Sequence, residues 1–307
     1  MNTSTQSSHA PLPSSIPEYL DQLRAALAGA DPAMIQDALY DAEEYLRSEM
    51  AEQPGKSEAE VIASVAGSYG APGEVAEIYR DTEVTVTRAL RPPAPRQRKS
   101  LLGRFFGVAA DPHTYGALFY MLLSLATGIF YFTWVVTGAS LSVGLLMLII
   151  GIPLLLLFLL SVRLLSLVEG RIVEVLLGER MPRRPLYTQR NKGLLARIGD
   201  MFTDGGTWTA MLYMLLMLPL GIVYFTVVVT LLSVSLAFIA APLGWFFPAS
   251  LDVTFVHWNV TEQAPWLLPV ISAIGIVLLF ATLHLARGIG KLHSLFAKHL
   301  LVRSPIV

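Results

Sequence analysis

The chain has 307 residues, of which 54% are hydrophobic and only 15% are charged, and it contains no cysteine. Soluble domains usually carry about 25% charged residues, so this composition excludes an ordinary soluble protein. The lack of cysteine excludes disulfides, a thiolate nucleophile and cysteine-ligated metal. The net charge of −1 hides an asymmetry, because residues 16–83 hold 15 acidic and 4 basic side chains. Such an acidic segment repels phosphate backbones, and we expect no direct binding of nucleic acid.

Four stretches within residues 16–83 show the spacing of apolar residues that is typical of helices. The signals expected to start or stop them are Gly29, Asp31-Pro32, a capping box at Ser57 and Glu60, and Pro72. Residues 1–15 are polar and are expected to be disordered. The pattern predicts a small, acidic, helical N-terminal domain.

Residues 84–104 form a basic, proline-rich linker, and the sequence beyond it is strongly apolar. Four stretches are long enough to cross a membrane, and we place them at about 115–137, 142–162, 208–231 and 266–286. Residues 232–247 are also apolar, but Pro242 and Gly244 interrupt them, so we expect this segment to dip back rather than to span. The fold class predicted is all-α: a small N-terminal helical domain plus a four-helix transmembrane bundle over residues 105–303.

The basic residues predict the orientation of this bundle. With both termini in the cytoplasm, all 22 Lys and Arg fall on the cytoplasmic side of the four spans. Positively charged loops are characteristically retained on that side. We therefore expect a multi-pass membrane protein with cytoplasmic N and C termini.

The first and third spans are copies of one sequence. TYGALFYMLLSLATGIFYFTWVVT begins at Thr114, and TWTAMLYMLLMLPLGIVYFTVVVT begins at Thr207; 15 of the 24 aligned positions are identical. The similarity extends into the segments after spans 2 and 4, where Arg163 and Glu169 correspond to Arg287 and His293. Each copy contains two spans, so we expect two parallel repeats, A (113–182) and B (206–303), related by an axis along the membrane normal.

Two groups of residues recur in the repeats and are the candidate site. One face of spans 1 and 3 carries tyrosines and glycines; either they line a ligand pocket between the repeats, or they serve helix packing. That face comprises Tyr120, Gly128, Tyr131, Tyr213, Gly221 and Tyr224. The segments after spans 2 and 4 look like amphipathic interfacial helices with a basic face, which either move as a relay or act as passive anchors. The candidate relay residues are Arg163, Glu169, Arg171, Arg287, Lys291 and His293.

The sequence shows no pattern of catalytic, cofactor-binding or metal-ligating residues. It contains no glycine-rich phosphate loop and no HExxH pair, and no nucleophile lies in a recognisable arrangement with a base. Of the ionisable residues, only His284 approaches a predicted span, whereas transporters usually keep such groups within the bilayer. We expect a protein that is not an enzyme and needs no cofactor or metal.

Two family resemblances cover most of the chain. Residues 17–80, with YLDQLRAALAG, DALYDAEEYL and SEAEVIASVAGSYGAPGEVAEIY, resemble the HAAS-type helical signalling domain of bacterial membrane proteins. Residues 105–303 resemble the bacterial Putative sensor domain, a four-span module often fused to histidine kinases. The matching features are the repeated Tyr-Met-Leu-Leu and Gly-Ile-x-Tyr-Phe-Thr sequences, the Gly-Ile-Pro-Leu of span 2, and the two Arg-led tails. No kinase is attached here, so the resemblance implies that output passes through a partner.

These features favour a sensory or regulatory membrane protein that relays an envelope or lipid cue to a cytoplasmic protein. The resemblance to HAAS-type domains implies a PadR-like regulator or a kinase as that protein. The residues predicted to contact it lie on the second helix: Asp37, Asp41, Glu44 and Glu49. A transporter component for a small molecule or lipid, and a membrane scaffold that forms a homo-oligomer, remain as alternatives.

Overall fold

The structure is a computed structural model that describes residues 12–90, 100–146, 148, 150–182, 205–246, 254–255 and 258–302. It divides into two compact units, of which the first contains α1 to α4 and the second contains α5 to α10. The helices of the first unit are α1 (Ile16–Ala26), α2 (Pro32–Glu52), α3 (Glu58–Ser68) and α4 (Pro72–Leu90). The α-helices of the second are α5 (Leu101–Phe106), α6 (Pro112–Gly144), α7 (Gly151–Leu177), α8 (Gly205–Ala240), α9 (Val260–Gln263) and α10 (Leu268–Leu301).

Short elements connect these helices in the second unit. Single 3₁₀ turns cover Gly107–Ala110, Ala241–Trp245 and Pro265–Leu267. Two two-residue strands, β1 (Thr254–Phe255) and β2 (Trp258–Asn259), pair antiparallel between α8 and α9. The predicted all-α fold is confirmed, because these two strands are the only extended elements in the described residues.

The predicted helix boundaries of the first unit are confirmed. The Asp31 carboxylate accepts a hydrogen bond from the amide of Ala33 at 2.9 Å and so caps α2. At the start of α3, the amide of Ser57 donates to the Glu60 carboxylate at 2.8 Å, and the Glu60 amide donates to the Ser57 hydroxyl at 3.3 Å. Gly29, with a φ of +82°, follows α1 in a conformation that only glycine adopts without strain.

Replacing Ser57 with alanine removes half of this capping box, and we expect it to lower the free energy of unfolding of α1–α4 by about 1 kcal/mol. Hydrogen bonds from the Ser57 amide and hydroxyl lower the pKa of the Glu60 carboxyl below 4.5. A carboxyl with a lowered pKa contributes stability that is present above its unfolded pKa and lost as pH falls through the folded value. The difference between the variant and the wild type should therefore be larger at pH 7 than at pH 3.

Tryptophan fluorescence cannot report on this unit, because all five tryptophans lie outside residues 12–90. Hydrogen exchange of the α3 amides therefore gives the measurement. An equal difference at both pH values would show that the Ser57 hydroxyl does not stabilise α3 through the Glu60 carboxylate.

Four helices of the second unit, α6, α7, α8 and α10, are long and apolar enough to cross a membrane. They have 33, 27, 36 and 34 residues, which at 1.5 Å per residue makes each about 40–54 Å long. That exceeds the roughly 30 Å of a bilayer's hydrocarbon core. Many of their large apolar side chains are exposed on the bundle surface, as lipid contact requires. The protein is therefore a multi-pass membrane protein.

The predicted turn between spans 1 and 2 is wrong. Helix α6 continues through residues 138–142 as far as Gly144, and α7 begins only at Gly151. A side chain at Gly138 would lie 2.3 Å from Cδ2 of Phe158 on α7. Gly138 thus allows α6 and α7 to pack closely.

The prediction that residues 232–247 dip back rather than continue the span is also wrong for residues 232–246, the part that the structure describes. Residues 232–240 continue α8, and the 3₁₀ turn that follows contains both Pro242 and Gly244. Helix α10 packs against this end of α8, because a side chain at Gly275 would lie 2.7 Å from the amide nitrogen of Ile239.

The segments predicted as separate interfacial helices are continuations of the spans. Residues 164–177 belong to α7 and residues 287–301 belong to α10. On the second of these segments, Ser294 is 4% exposed, whereas Leu292 and Leu295 are 69% and 58% exposed. Small and polar side chains of this segment thus face the bundle.

Several predictions lie outside the described residues. They concern the N-terminal tail (residues 1–11), part of the linker (91–99), most of the basic loop (183–204) and parts of the outer loop (247–253 and 256–257).

Candidate functional site

The two repeated helices, α6 and α8, are in backbone contact where they cross. A side chain at Gly128 would lie 2.5 Å from the carbonyl oxygen of Met217, and one at Gly221 would lie 2.3 Å from that of Ser124. Gly221 and Met217 are the residues that align with Gly128 and Ser124 in the sequence repeat, so the contact is reciprocal. The glycines predicted on this face therefore bring the two helices together.

Next to this crossing, four polar side chains meet in the interior, one from each long helix. The phenol oxygens of Tyr120 on α6 and Tyr213 on α8 are 3.2 Å apart. They donate to the same carboxylate oxygen, Oε1 of Glu169 on α7, at 2.7 and 2.8 Å. Nε2 of His293 on α10 lies 2.6 Å from the Tyr120 oxygen and 3.0 Å from that of Tyr213. We call these four residues, with the two tyrosines described next, the polar cluster.

Two further tyrosines extend the cluster on opposite sides. Tyr131 on α6 donates to Oε2 of Glu169 at 2.9 Å, and Tyr224 on α8 lies 3.3 Å from Nδ1 of His293. Tyr131 aligns with Tyr224 in the repeated sequence, and Glu169 and His293 each lie six residues after an arginine, Arg163 and Arg287. The two aligned tyrosines therefore contact an acid in one case and an imidazole in the other.

Five of the six residues of the cluster are closed to solvent, and Tyr224 is half-buried. Glu169 and Tyr213 are 0% exposed, Tyr120 and His293 are 1%, and Tyr131 is 3%. A buried polar group is tolerated only when it is hydrogen-bonded, and a buried charge only when several partners stabilise it. Three phenols supply those partners to the Glu169 carboxylate.

Two arrangements of protons satisfy every group in the cluster. In both, the tyrosines around Glu169 donate to its carboxylate and Nε2–H of His293 donates to the phenol oxygens of Tyr120 and Tyr213. In the first, Nδ1 of His293 is bare and accepts from Tyr224; in the second, Nδ1 is protonated and donates to Tyr224. The positions of the heavy atoms are thus compatible with either protonation state of His293.

The other candidate relay residues lie outside the cluster. Nε of Arg163 donates to the Thr207 hydroxyl at 3.2 Å, at the start of α8. Arg171 pairs with Glu174 one turn along α7. Arg287 and Lys291 line a cavity beside α6. The sequence therefore identified all six members of the cluster, but as two separate groups, and it gave no indication that Glu169 and His293 meet the tyrosines.

The predicted partner surface of the N-terminal unit changes. Asp37 is only 6% exposed, so its assignment to an open surface is wrong. Asp41 accepts a hydrogen bond from the Tyr79 hydroxyl at 2.9 Å, and burial, together with this bond, raises the pKa of Tyr79. Glu49 accepts a hydrogen bond from Gln53 at 3.1 Å. Glu44 is exposed and keeps its predicted place.

Among the described residues, no group of three or more His, Asp or Glu side chains is arranged to hold a metal ion. Glu169 and His293 are the two ionisable members of the polar cluster besides its tyrosines, and phenols rather than further metal ligands surround them. The chemistry that this arrangement supports is hydrogen bonding and proton exchange.

The sequence was compared with known proteins. Comparison with curated proteins and with solved structures gave no match. The family model described as Putative sensor matches residues 120–301, which include all six residues of the polar cluster and all four long helices except the first turns of α6. Since the match covers more than half of the chain, this protein belongs to the Putative sensor family.

Proposed function

We propose that this protein is a non-enzymatic sensory or regulatory protein of a bacterial inner membrane, with both termini in the cytoplasm. The four-helix bundle responds to an envelope or lipid cue, and the acidic N-terminal unit passes the response to a cytoplasmic protein. The observation that carries the proposal is the polar cluster, in which one buried side chain from each of the four long helices joins a single hydrogen-bonded network.

Such a network gives a bundle the means to switch. Ionisable groups buried among membrane helices are costly and usually functional. Each long helix contributes a hydrogen bond that no other helix replaces, so a shift of any one of them changes the bonding of the rest. A relay needs an element with discrete alternative arrangements, and a shared polar cluster can provide it.

The output is assigned to the acidic unit because of its charge and its lack of any catalytic pattern. A PadR-like regulator or a kinase is the class of partner that the HAAS-type resemblance implies. Of the residues predicted to contact it, Glu44 on α2 is the one best placed to do so, since it is exposed.

Reversing the charge of Glu44 tests this assignment. Full-length protein captured from native membranes should retain a cytoplasmic regulator that is absent when residues 1–90 are deleted. We expect Glu44→Lys to reduce that capture by about tenfold, since juxtaposed like charges at an interface cost several kcal/mol. Mass spectrometry of the captured proteins gives the measurement.

Glu77→Lys is the matched control, because Glu77 is an exposed acid on α4 and the substitution changes the charge equally. An equal loss in both variants would mean that α2 is not the contact surface. Identical captures with and without residues 1–90 would contradict the proposed role of the N-terminal unit.

A transporter component is the second candidate, and one finding favours it. Glu169 and His293 are ionisable residues buried among the long helices, within bonding distance of the same two tyrosines, and transporters usually keep such groups among their spans. Proton uptake into proteoliposomes that depends on Glu169 would establish transport, whereas vesicles without flux leave the sensory role as the better account. The predicted scaffold role differs from both, since its oligomer would ignore any ligand.

A further inference from the structure

A cavity of about 230 Å³ opens between α6 and α10, beside the C-terminal end of α7. It is lined by His113, Ala117, Leu177, Arg287, Gly290 and Lys291. None of these lining residues, all within the described part of the chain, is acidic, and three carry nitrogen donors. The polar cluster contributes no side chain to this lining.

The donors converge from two helices. Arg287 and Lys291 lie one turn apart on α10, and His113 lies across the cavity at the start of α6. The carboxylate of Asp111 contacts two of them, because its oxygens lie 3.1 Å from Nη2 of Arg287 and 3.1 Å from Nδ1 of His113. A guanidinium has five N–H donors, so Asp111 orients Arg287 and leaves further donors for a second acceptor. With Lys291 included, the net charge around the cavity stays positive.

The first turn of α6 is already capped, because Asp111 accepts a hydrogen bond from the His113 amide at 3.1 Å. The positive charge around the cavity therefore comes from side chains and not from free amides at the end of a helix.

The other half of the lining is apolar and tightly packed. A side chain at Gly290 would lie 2.8 Å from Cβ of Ala117 and 3.3 Å from Cδ2 of Leu177. Gly290 thus brings α10 against α6 and α7, and these three small or aliphatic residues close one side of the cavity. A charged side facing an apolar side suits a ligand with an anionic head and an apolar stem.

We propose that this cavity binds a phosphate group, held by Arg287 and Lys291, which is carried either by an anionic phospholipid or by a soluble phosphate. Basic pockets between membrane helices bind lipid headgroups in this way. The inference deepens the proposed function by naming a ligand class for the membrane domain. It rests on the cavity alone, and the test below needs no signalling partner, so the two proposals can fail separately.

The test measures binding to the full-length protein in a neutral detergent. Native mass spectrometry would give the affinities for dioleoylphosphatidylglycerol and for dioleoylphosphatidylcholine, and thermal unfolding would give the affinity for inorganic phosphate. We expect phosphatidylglycerol to bind more tightly than phosphatidylcholine. Lys291→Gln should weaken that binding about fivefold, and Lys291→Gln with Arg287→Gln should weaken it roughly tenfold or more.

Arg104→Gln is the control, because it removes the same charge from an exposed side chain that does not line the cavity. Lys291 is itself exposed, so its replacement should leave the unfolding temperature without ligand unchanged. Selective phosphatidylglycerol binding that falls in Lys291→Gln and persists in Arg104→Gln supports a lipid headgroup site. If inorganic phosphate binds as well, and its binding also falls in Lys291→Gln and persists in Arg104→Gln, the site is supported with a soluble ligand. No anion binding, or an equal loss in both variants, overturns the proposal.

Discussion

Replacing Gly221 with leucine should prevent the four-helix bundle from assembling. Even a methyl group at this position would lie 2.3 Å from the carbonyl oxygen of Ser124, and a backbone atom cannot move aside as a flexible side chain can. Gly221→Ala should therefore lower the free energy of unfolding by roughly 3 kcal/mol, at the upper end for overpacked sites. For a domain of this size the unfolding temperature should fall by about 6–12 °C.

Tryptophan fluorescence in detergent measures this unfolding, since all five tryptophans lie in the membrane part of the chain. Gly144→Ala is the matched control, because Gly144 is also a glycine in a long helix and a side chain there meets nothing within 4 Å. Alanine favours helix more than glycine does, so this control should be neutral or slightly stabilising. Equal melting of Gly221→Ala and wild type would show that the α6–α8 contact does not hold the bundle together.

The second large effect is expected when Glu169 is replaced with leucine. The change leaves the hydroxyls of Tyr120, Tyr131 and Tyr213 buried without their common acceptor. Removing one partner from a buried charged network typically costs about 3–5 kcal/mol. We expect the unfolding temperature of the bundle to fall by roughly 10 °C or more.

Two controls separate this loss from a general effect of removing an acid from α7. Glu174→Leu removes a carboxylate that pairs with the half-exposed Arg171, and such pairs contribute less than about 1 kcal/mol. Tyr131→Phe removes a single donor to Glu169 and should cost about 1 kcal/mol. If the unfolding temperature of Glu169→Leu is no lower than that of Glu174→Leu, the polar cluster does not stabilise the bundle. The proposal that the cluster couples the helices would then be wrong.

The hydropathy of the sequence was sufficient to predict four membrane helices, because uncharged runs as long as Thr114–Val162 rarely occur outside membrane-spanning segments. The turn after α6 was misplaced, because a glycine such as Gly138 can either end a helix or leave room for a neighbouring side chain, here the ring of Phe158. The packing of α7 against α6 decides between these outcomes, and this packing cannot be predicted from the local sequence.

The polar cluster shows the same limit. Tyr120 and Tyr213 were identified because they repeat, and Glu169 and His293 were identified as matching positions after spans 2 and 4. Their location in basic, amphipathic segments indicated a surface helix. Burial depends on which face of α7 and α10 meets the other helices, and that is set by contacts such as Gly290 with Ala117. Asp37 was misjudged for a related reason, since an acidic residue in an acidic helix is ordinarily exposed.

The presence of Glu169 and His293 at matching positions of the two predicted repeats, in contact with the same two tyrosines, has a consequence for how such a bundle can arise. Two identical hairpins that assembled about a two-fold axis would place the same residue at both positions, either two carboxylates or two imidazoles facing one pair of tyrosines. Like charges so close oppose each other, so neither pair could be fully charged at that site. Joining the hairpins in one polypeptide lets each half diverge independently of the other. A covalent tandem can therefore hold a mixed pair that a symmetric homodimer of the same hairpin could not.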